Sequence, residues 1–170
     1  MSDNLAIIRR VTEEHQTIRS HIKLVGDSLT DQEVLTALGR ARPDWIPGRL
    51  EILSEKQNKL QQTMSFLDEG LKNHFAFEEK VLSPLLGELF MRALTIEHGE
   101  IKKQIDEAKS IVADTRLEGL SREELLSKEA LIQQMIDNVC QLVEGHAARE
   151  EVILDMVQRV LEEKEQNKSY

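Results

Sequence analysis

The chain has 170 residues, 40% of them hydrophobic and 31% charged, a size that suits one globular domain with its own core and is short for two. A formal net charge of -9 argues against nucleic acid or an anionic membrane as a partner, since such surfaces call for a basic patch, and the lone Cys140 excludes an internal disulfide or a thiolate metal cage within one chain. No apolar run approaches the roughly 20 residues that cross a bilayer, and the N-terminal MSDNLAIIRR lacks the layout of a signal peptide, so the reading is one cytoplasmic domain over residues 1–170.

Aromatic residues make up only 4%, and long stretches are built from Leu, Ile, Glu, Lys, Gln and Arg, which lose little side-chain freedom in a helix. An all-α chain follows. The first helix is predicted from about Asp3 to Val25, with Ile8, Val11, Ile18, Ile22 and Val25 on one stripe, and it stops at Gly26. Residues 26–48 form a long connection with room for a short helix around Asp31 to Leu38, closing at Pro43 and Pro47. Proline at position 47 suits the first turn of a second helix, which carries Leu53, Leu60, Met64, Leu67, Leu71 and Val81 and ends near Leu82, where Ser83 precedes Pro84.

A third helix is predicted from between Pro84 and Glu88 to about Asp114, with Met91, Leu94, Ile101, Ile105 and Val112 on its apolar face. Gly119 closes the next turn. Ser121 and Glu124 then make the S-x-x-E pattern of a capping box, so a fourth helix starts there and runs to about Glu163. Its predicted stripe is Met135, Val139, Leu142, Ile153, Val157 and Val160, and residues 164–170 are expected to fray.

Every stripe is interrupted, and always by the same residue types. His15 falls between Val11 and Ile18, His74 and Glu78 between Leu71 and Val81, His98 between Leu94 and Ile101, and His146 with Glu150 between Leu142 and Ile153. If consecutive helices are antiparallel, groups at one level should have the connecting turn midway between them in sequence. The midpoints fall near Trp45, Gly87 and Glu123, each in or just past a predicted break. All six groups then meet in one layer.

Two carboxylates and four imidazoles among Leu and Ile, with nothing to satisfy them, would cost at least several kcal/mol. A pair of metal ions removes that cost, because it accepts imidazole nitrogen and carboxylate oxygen together. The four-residue step in His74–Glu78 and in His146–Glu150 stacks nitrogen and carboxylate on one helix face, so each glutamate can reach a second metal. Two histidines and two bridging carboxylates per ion, with a bridging oxygen from water, leave one position open on each. Imidazole and carboxylate serve iron, manganese and zinc alike.

For a single histidine on an apolar stripe, a core residue bonded to a neighbour is the ordinary reading, and the agreement of six groups in stripe and level is what favours metal. His21 lies off that face and reads as solvated. Glu14, Glu79, Glu97 and Glu151 flank the six and read either as exposed or as hydrogen-bond partners of a ligand imidazole. Cys140 lies off the ligand face, Lys102 reads as exposed with an amine that could reach an open coordination position, and Phe75, Phe77, Phe90 and Met91 read as core packing.

His15, the HFAFE segment from His74 to Glu78, Glu97-His98 and the HAARE segment from His146 to Glu150 together resemble the hemerythrin-like family and its H-HxxxE-H-HxxxE cation-binding pattern, over almost the whole chain. That resemblance implies an up-down-up-down four-helix bundle with a non-haem di-iron centre, two irons bridged by oxo or hydroxo and by two glutamates. It implies binding, sensing or reaction with oxygen, nitric oxide or peroxide, or iron handling. The oxygen-carrying hemerythrins place another histidine one turn after the third-helix ligand, where this chain has Lys102, and they end on an aspartate spaced differently from Glu150. Redox reactivity or sensing is therefore expected ahead of oxygen storage. The chain is also similar to the di-iron domain of bacterial iron-sulfur repair proteins, which usually carry a cysteine-bearing N-terminal segment. An iron-dependent enzyme or iron donor in damage repair, and a protein-interaction module with a structural metal, are the competing functions.

Overall fold

A computed structural model describes residues 3–29, 47–116 and 118–167, and their side chains apart from those at 28, 29, 47–53 and 122. All regular structure among the described residues is helical: α1 (Asp3–Leu29), α2 (Pro47–Val81), the single turn α3 (Ser83–Leu86), α4 (Glu88–Asp114) and α5 (Arg122–Asn167). Four long helices pack as a bundle, α1 against α2 and α5, and α4 against α2 and α5.

The predicted breaks hold where the chain itself forbids continuation. Pro84, in the first turn of α3, has no N–H with which to continue α2, and Gly87 closes α3 and enters α4 at φ +78°, a backbone geometry that a Cβ would strain. The capping box forms as expected: the Ser121 N–H donates to the Glu124 carboxylate at 2.7 Å, and the Glu124 N–H donates to Ser121 Oγ at 3.3 Å. Two ends differ from expectation. α1 runs through Gly26 to Leu29, since an interior glycine costs only about 1 kcal/mol against alanine and does not stop a packed helix. α5 runs past Glu163 to Asn167, because the Lys-Glu-Gln-Asn stretch contains no breaker. The suggested helix around Asp31 to Leu38 and the level midpoint at Trp45 lie outside the described residues.

The last helix also buries a different stripe from the one predicted. Its buried side chains include Ile136, Val139, Val143, Ala147 and Leu154, while Met135, Leu142, Ile153 and Val157 are half-buried and Val160 is 51% exposed. Ile136, Val143 and Leu154 each lie one residue past a predicted position, a turn of about 100° around the helix, so the buried face is rotated from the predicted one along the whole length.

Apolar packing divides into two clusters. One gathers Ile8 and Val11 of α1, Leu82, Met91 and Leu94 of α4, and Leu154 of α5. The other, larger cluster joins Ile18 and Val25 to Leu60 through Phe75, Ile101 through Val112, and Ile136 through Val143. On α1, α4 and α5 the proposed metal-binding residues lie in sequence between the members of the two clusters, and on α2 His74 and Glu78 bracket Phe75 and Phe77, where the clusters meet, so the polar layer has apolar packing on both sides. Each fully buried aliphatic side chain in those clusters contributes roughly 1.5 to 3 kcal/mol, which is what forces the polar layer inside with them.

Polar contacts outside that layer also tie α2 to α4. Gln57 Nε2 donates to the carbonyls of Val112 at 2.5 Å and Thr115 at 2.8 Å, satisfying C-terminal carbonyls of α4 that have no partner within the helix. Asp68, buried and not anticipated from sequence, accepts from Lys72 at 2.8 Å and Lys109 at 2.6 Å.

Candidate metal centre

All six predicted residues converge. His15, His74, Glu78, His98, His146 and Glu150 are each between 0% and 4% exposed. Within the layer the imidazoles form two pairs, His15 with His74 and His98 with His146, each pair with ring centroids 4.9 Å apart and the rings nearly perpendicular.

The two carboxylates lie between the pairs. Glu78 turns Oε1 to Nε2 of His74 at 2.6 Å and of His15 at 3.4 Å, and Oε2 to Nε2 of His98 at 3.3 Å. Glu150 Oε2 lies 3.4 Å from His15 Nε2 and 3.5 Å from His146 Nε2. A metal bound at about 2.1 Å by ligands at right angles separates those ligands by about 3 Å, so the spacing is that of donors arranged around ions. Ligand atoms of His15, His74, Glu78 and Glu150 all lie within 4.8 Å of one another, as do those of Glu78, His98 and His146.

Hydrogen bonding inside the layer is incomplete. His74 Nε2, His98 Nε2, His146 Nε2, Glu78 Oε2 and both oxygens of Glu150 are buried without a partner. Native interiors leave few such atoms, and each costs on the order of 1 to 3 kcal/mol or more when charged. Six of them facing one another fit a group that accepts nitrogen and oxygen donors at once, which is what a metal ion is.

The outer nitrogens are fully provided for. Nδ1 of His15 donates to Glu151 at 3.1 Å, of His74 to Glu14 at 2.9 Å, of His98 to Glu79 at 2.8 Å and of His146 to Glu97 at 2.9 Å. The partners close a ring around the bundle: α1 serves α2, α2 serves α4, α4 serves α5, and α5 serves α1. An ionised carboxylate only accepts, so each Nδ1 carries a hydrogen and each Nε2 faces inward. Of the two readings that the sequence left open for these glutamates, the hydrogen-bonding one holds, and all four remain about one-third exposed. The available signal was adjacency, since each stands directly beside one of the six.

Protonation of the metal-free site follows from the same contacts. Burial pushes the His15 imidazole down, but Glu150 and Glu78 on its Nε2 outweigh burial and raise it to about 9. Burial likewise opposes the raised value at His74, where Glu78 and Glu14 prevail, whereas His146 stays low because burial and the neighbouring His98 outweigh Glu97. Burial and the negative Glu78 raise Glu150, while Glu78, despite its own burial, is held well below the carboxylate range by three histidines. A cation entering the layer therefore takes the place of protons.

The remaining expectations divide. His21 is half-buried on a surface groove with Leu24, Lys59 and Phe66, away from the site. Cys140 is half-buried against the larger cluster, and burial together with Asp137 pushes its thiol up to about 11, which makes it an inert packing residue. Lys102 is half-buried, with its amine 5.5 Å from the centroid of the Phe75 ring. Phe75 does more than fill space: it stacks on His98 at 4.0 Å and meets His146 edge-on at 5.5 Å.

No helix of the described residues is long and apolar enough to cross a membrane. Residues 6–124 match the family model described as Hemerythrin HHE cation binding domain. That span contains His15, His74, Glu78 and His98 and stops short of His146 and Glu150, which the fold brings to the same layer. No curated protein and no solved structure matches the chain.

Proposed function

Because the chain belongs to the hemerythrin HHE cation-binding family, we propose that it holds two iron ions between its helices and uses them to bind, sense or react with oxygen, nitric oxide or peroxide. His15 and His74 would hold one ion and His98 and His146 the other, with Glu78 and Glu150 placed between the two pairs. The observation that carries this reading is the set of six unpartnered nitrogen and oxygen atoms facing one another in a buried layer. The alternating direction of the long helices, inferred from which ends share each apolar cluster, supports the up-down-up-down bundle of one domain.

A bound iron pair supplies electrons and an open coordination position to a small molecule. The chain supplies the rest. Two pairs of imidazoles and two shared carboxylates fix the ions, four outer carboxylates fix the imidazoles, and apolar clusters on both sides exclude bulk water and larger ligands. Lys102 in place of a further histidine leaves the second pair one protein donor fewer, which favours reaction or sensing over storage. A cytoplasmic setting fits an acidic chain with one inert cysteine.

Elemental analysis of freshly purified protein tests the reading, with about two irons per chain and near-ultraviolet bands of an oxygen-bridged pair expected. Iron-loaded protein with neither property, matched by variants of the six residues, would overturn it. Rapid mixing of reduced protein with nitric oxide or peroxide separates turnover from stoichiometric binding.

A further inference from the structure

Large apolar side chains are left exposed at one end of the bundle, on α4 and α5 together. Leu89 is 84% exposed, Val152, Met156 and Val160 are each more than half exposed, and Phe90, read from sequence as core packing, is 46% exposed. Val152 and Met156 each stand two residues, about 200° of helix, past a buried side chain, Glu150 and Leu154 respectively, so they turn away from the bundle interior. Val160 continues the same four-residue step. Phe90 lies seven residues before Glu97, whose carboxylate reaches His146 and Arg149, and so shares the side of α4 that faces α5. Going back along α4 from Glu97 to Met91 moves forward along α5 from Arg149 to Leu154, which brings Leu89 and Phe90 level with Met156. The five side chains form one patch.

Charge around that patch is arranged to meet itself. Arg149 and Glu163 stand seven residues to either side of Met156, on the same face of α5, and both are exposed. Two α5 helices laid antiparallel about a two-fold axis at Met156 put Val152 against the partner's Val160 and Arg149 against the partner's Glu163, and the symmetry makes each pairing twice. A parallel arrangement would set arginine against arginine and glutamate against glutamate. Beside the axis, Asp155 and Arg159 neutralise each other within the helix at 2.6 Å. A specific contact needs about 500 Å² from each copy, and five large side chains at these exposures, with the stems of Arg149 and Arg159, offer about that area.

We propose that the chain forms a two-fold dimer in which α5 packs antiparallel on α5 of a second copy about Met156, with Leu89 and Phe90 of each copy flanking the contact. No metal enters this contact, so it stands whether or not the buried layer holds iron.

Sedimentation of the full chain over a range of concentrations reads the assembly directly. The parent is expected at twice the 19.5 kDa chain mass, and Met156→Glu at the chain mass, with association weakened about 30-fold or more, as for a residue at the centre of an interface. Because Met156 is exposed in the single chain, helical circular dichroism of the variant should match the parent. E163R should also weaken the dimer, by facing Arg149 with a second arginine, and R149E/E163R should restore it. M156C under mild oxidant should form a disulfide across the axis, whereas L131C, exposed further back on α5, should not. Parent protein at the chain mass at every concentration would overturn the proposal, and its flotation with phosphatidylcholine vesicles would assign the patch to lipid instead. A dimer that M156E leaves intact overturns it as well. So does a dimer that R149E/E163R fails to recover, or a disulfide that forms in L131C and not in M156C.

Discussion

Phe75 lies flat against His98, with ring centroids 4.0 Å apart and the planes 9° from parallel, so a core side chain sets the orientation of an imidazole in the polar layer. Its own ring is 0% exposed. Phe75→Ala should therefore do two things together. Removing a buried phenylalanine costs about 3 to 5 kcal/mol in urea unfolding of chelator-treated protein. Freed of its stacking partner, His98 should also release metal faster, read as the rate of transfer to a coloured chelator. Parent-like release from a destabilised variant would show that the stacking is packing alone.

Asp68 gives the fold a dependence on pH away from the polar layer. Burial pushes its carboxyl up, but the ammoniums of Lys109 and Lys72 outweigh burial and hold it below its ordinary value. A carboxyl with a depressed folded value adds stability that is complete above its unfolded value and lost as pH falls through the folded one. Acid unfolding of the metal-free D68N variant should thus show a shallower loss below about pH 4 than the parent. At pH 7 D68N should be less stable by about 1.5 to 3 kcal/mol, the scale of hydrogen bonds to a charged group. Equal acid sensitivity in the two proteins would remove Asp68 from the account.

The end of α4 rests on a side chain from another helix. Gln57 caps the carbonyls of Val112 and Thr115 from α2. Gln57→Leu keeps the volume and removes the donor, and should cost about 1 kcal/mol with faster amide exchange confined to the last turn of α4. Exchange that quickens throughout the helix would point to a wider loss of packing.

Much of this was legible in residue order, and the misses have physical causes. The six layer residues stand out because each breaks an apolar stripe, and because antiparallel helices tie level to sequence midpoint. Glu14, Glu79, Glu97 and Glu151 were visible only as neighbours of those six. Which imidazole each one serves depends on the order of helices around the bundle, which spacing along one helix does not contain. Asp68 was missed because its partners include Lys109, 41 residues away on another helix. On α5, Ala147 is too small to mark a stripe, and adjacent apolar pairs such as Met135-Ile136, Leu142-Val143 and Ile153-Leu154 leave the buried member undecided by spacing alone.

Glu150 exposes the conflict between stability and site. In the metal-free chain both its oxygens are buried without a hydrogen-bond partner, and burial beside the negative Glu78 pushes its carboxyl up. With Glu78 left to pair His15, replacing a repelled buried carboxyl that lacks hydrogen bonds by an apolar residue of similar volume removes a desolvation cost of about 1 to 3 kcal/mol. E150L in chelator should therefore melt at or above the temperature of the chelated parent. With metal the order should reverse. The parent gains the free energy of binding to its folded state, whereas E150L lacks the carboxylate that both positions share and gains little. Melting the two proteins with and without iron measures all four terms of that comparison. An E150L chain that is the less stable of the pair in chelator, by the several kcal/mol typical of a broken core contact, would mean that Glu150 is held there by packing and not by what it coordinates.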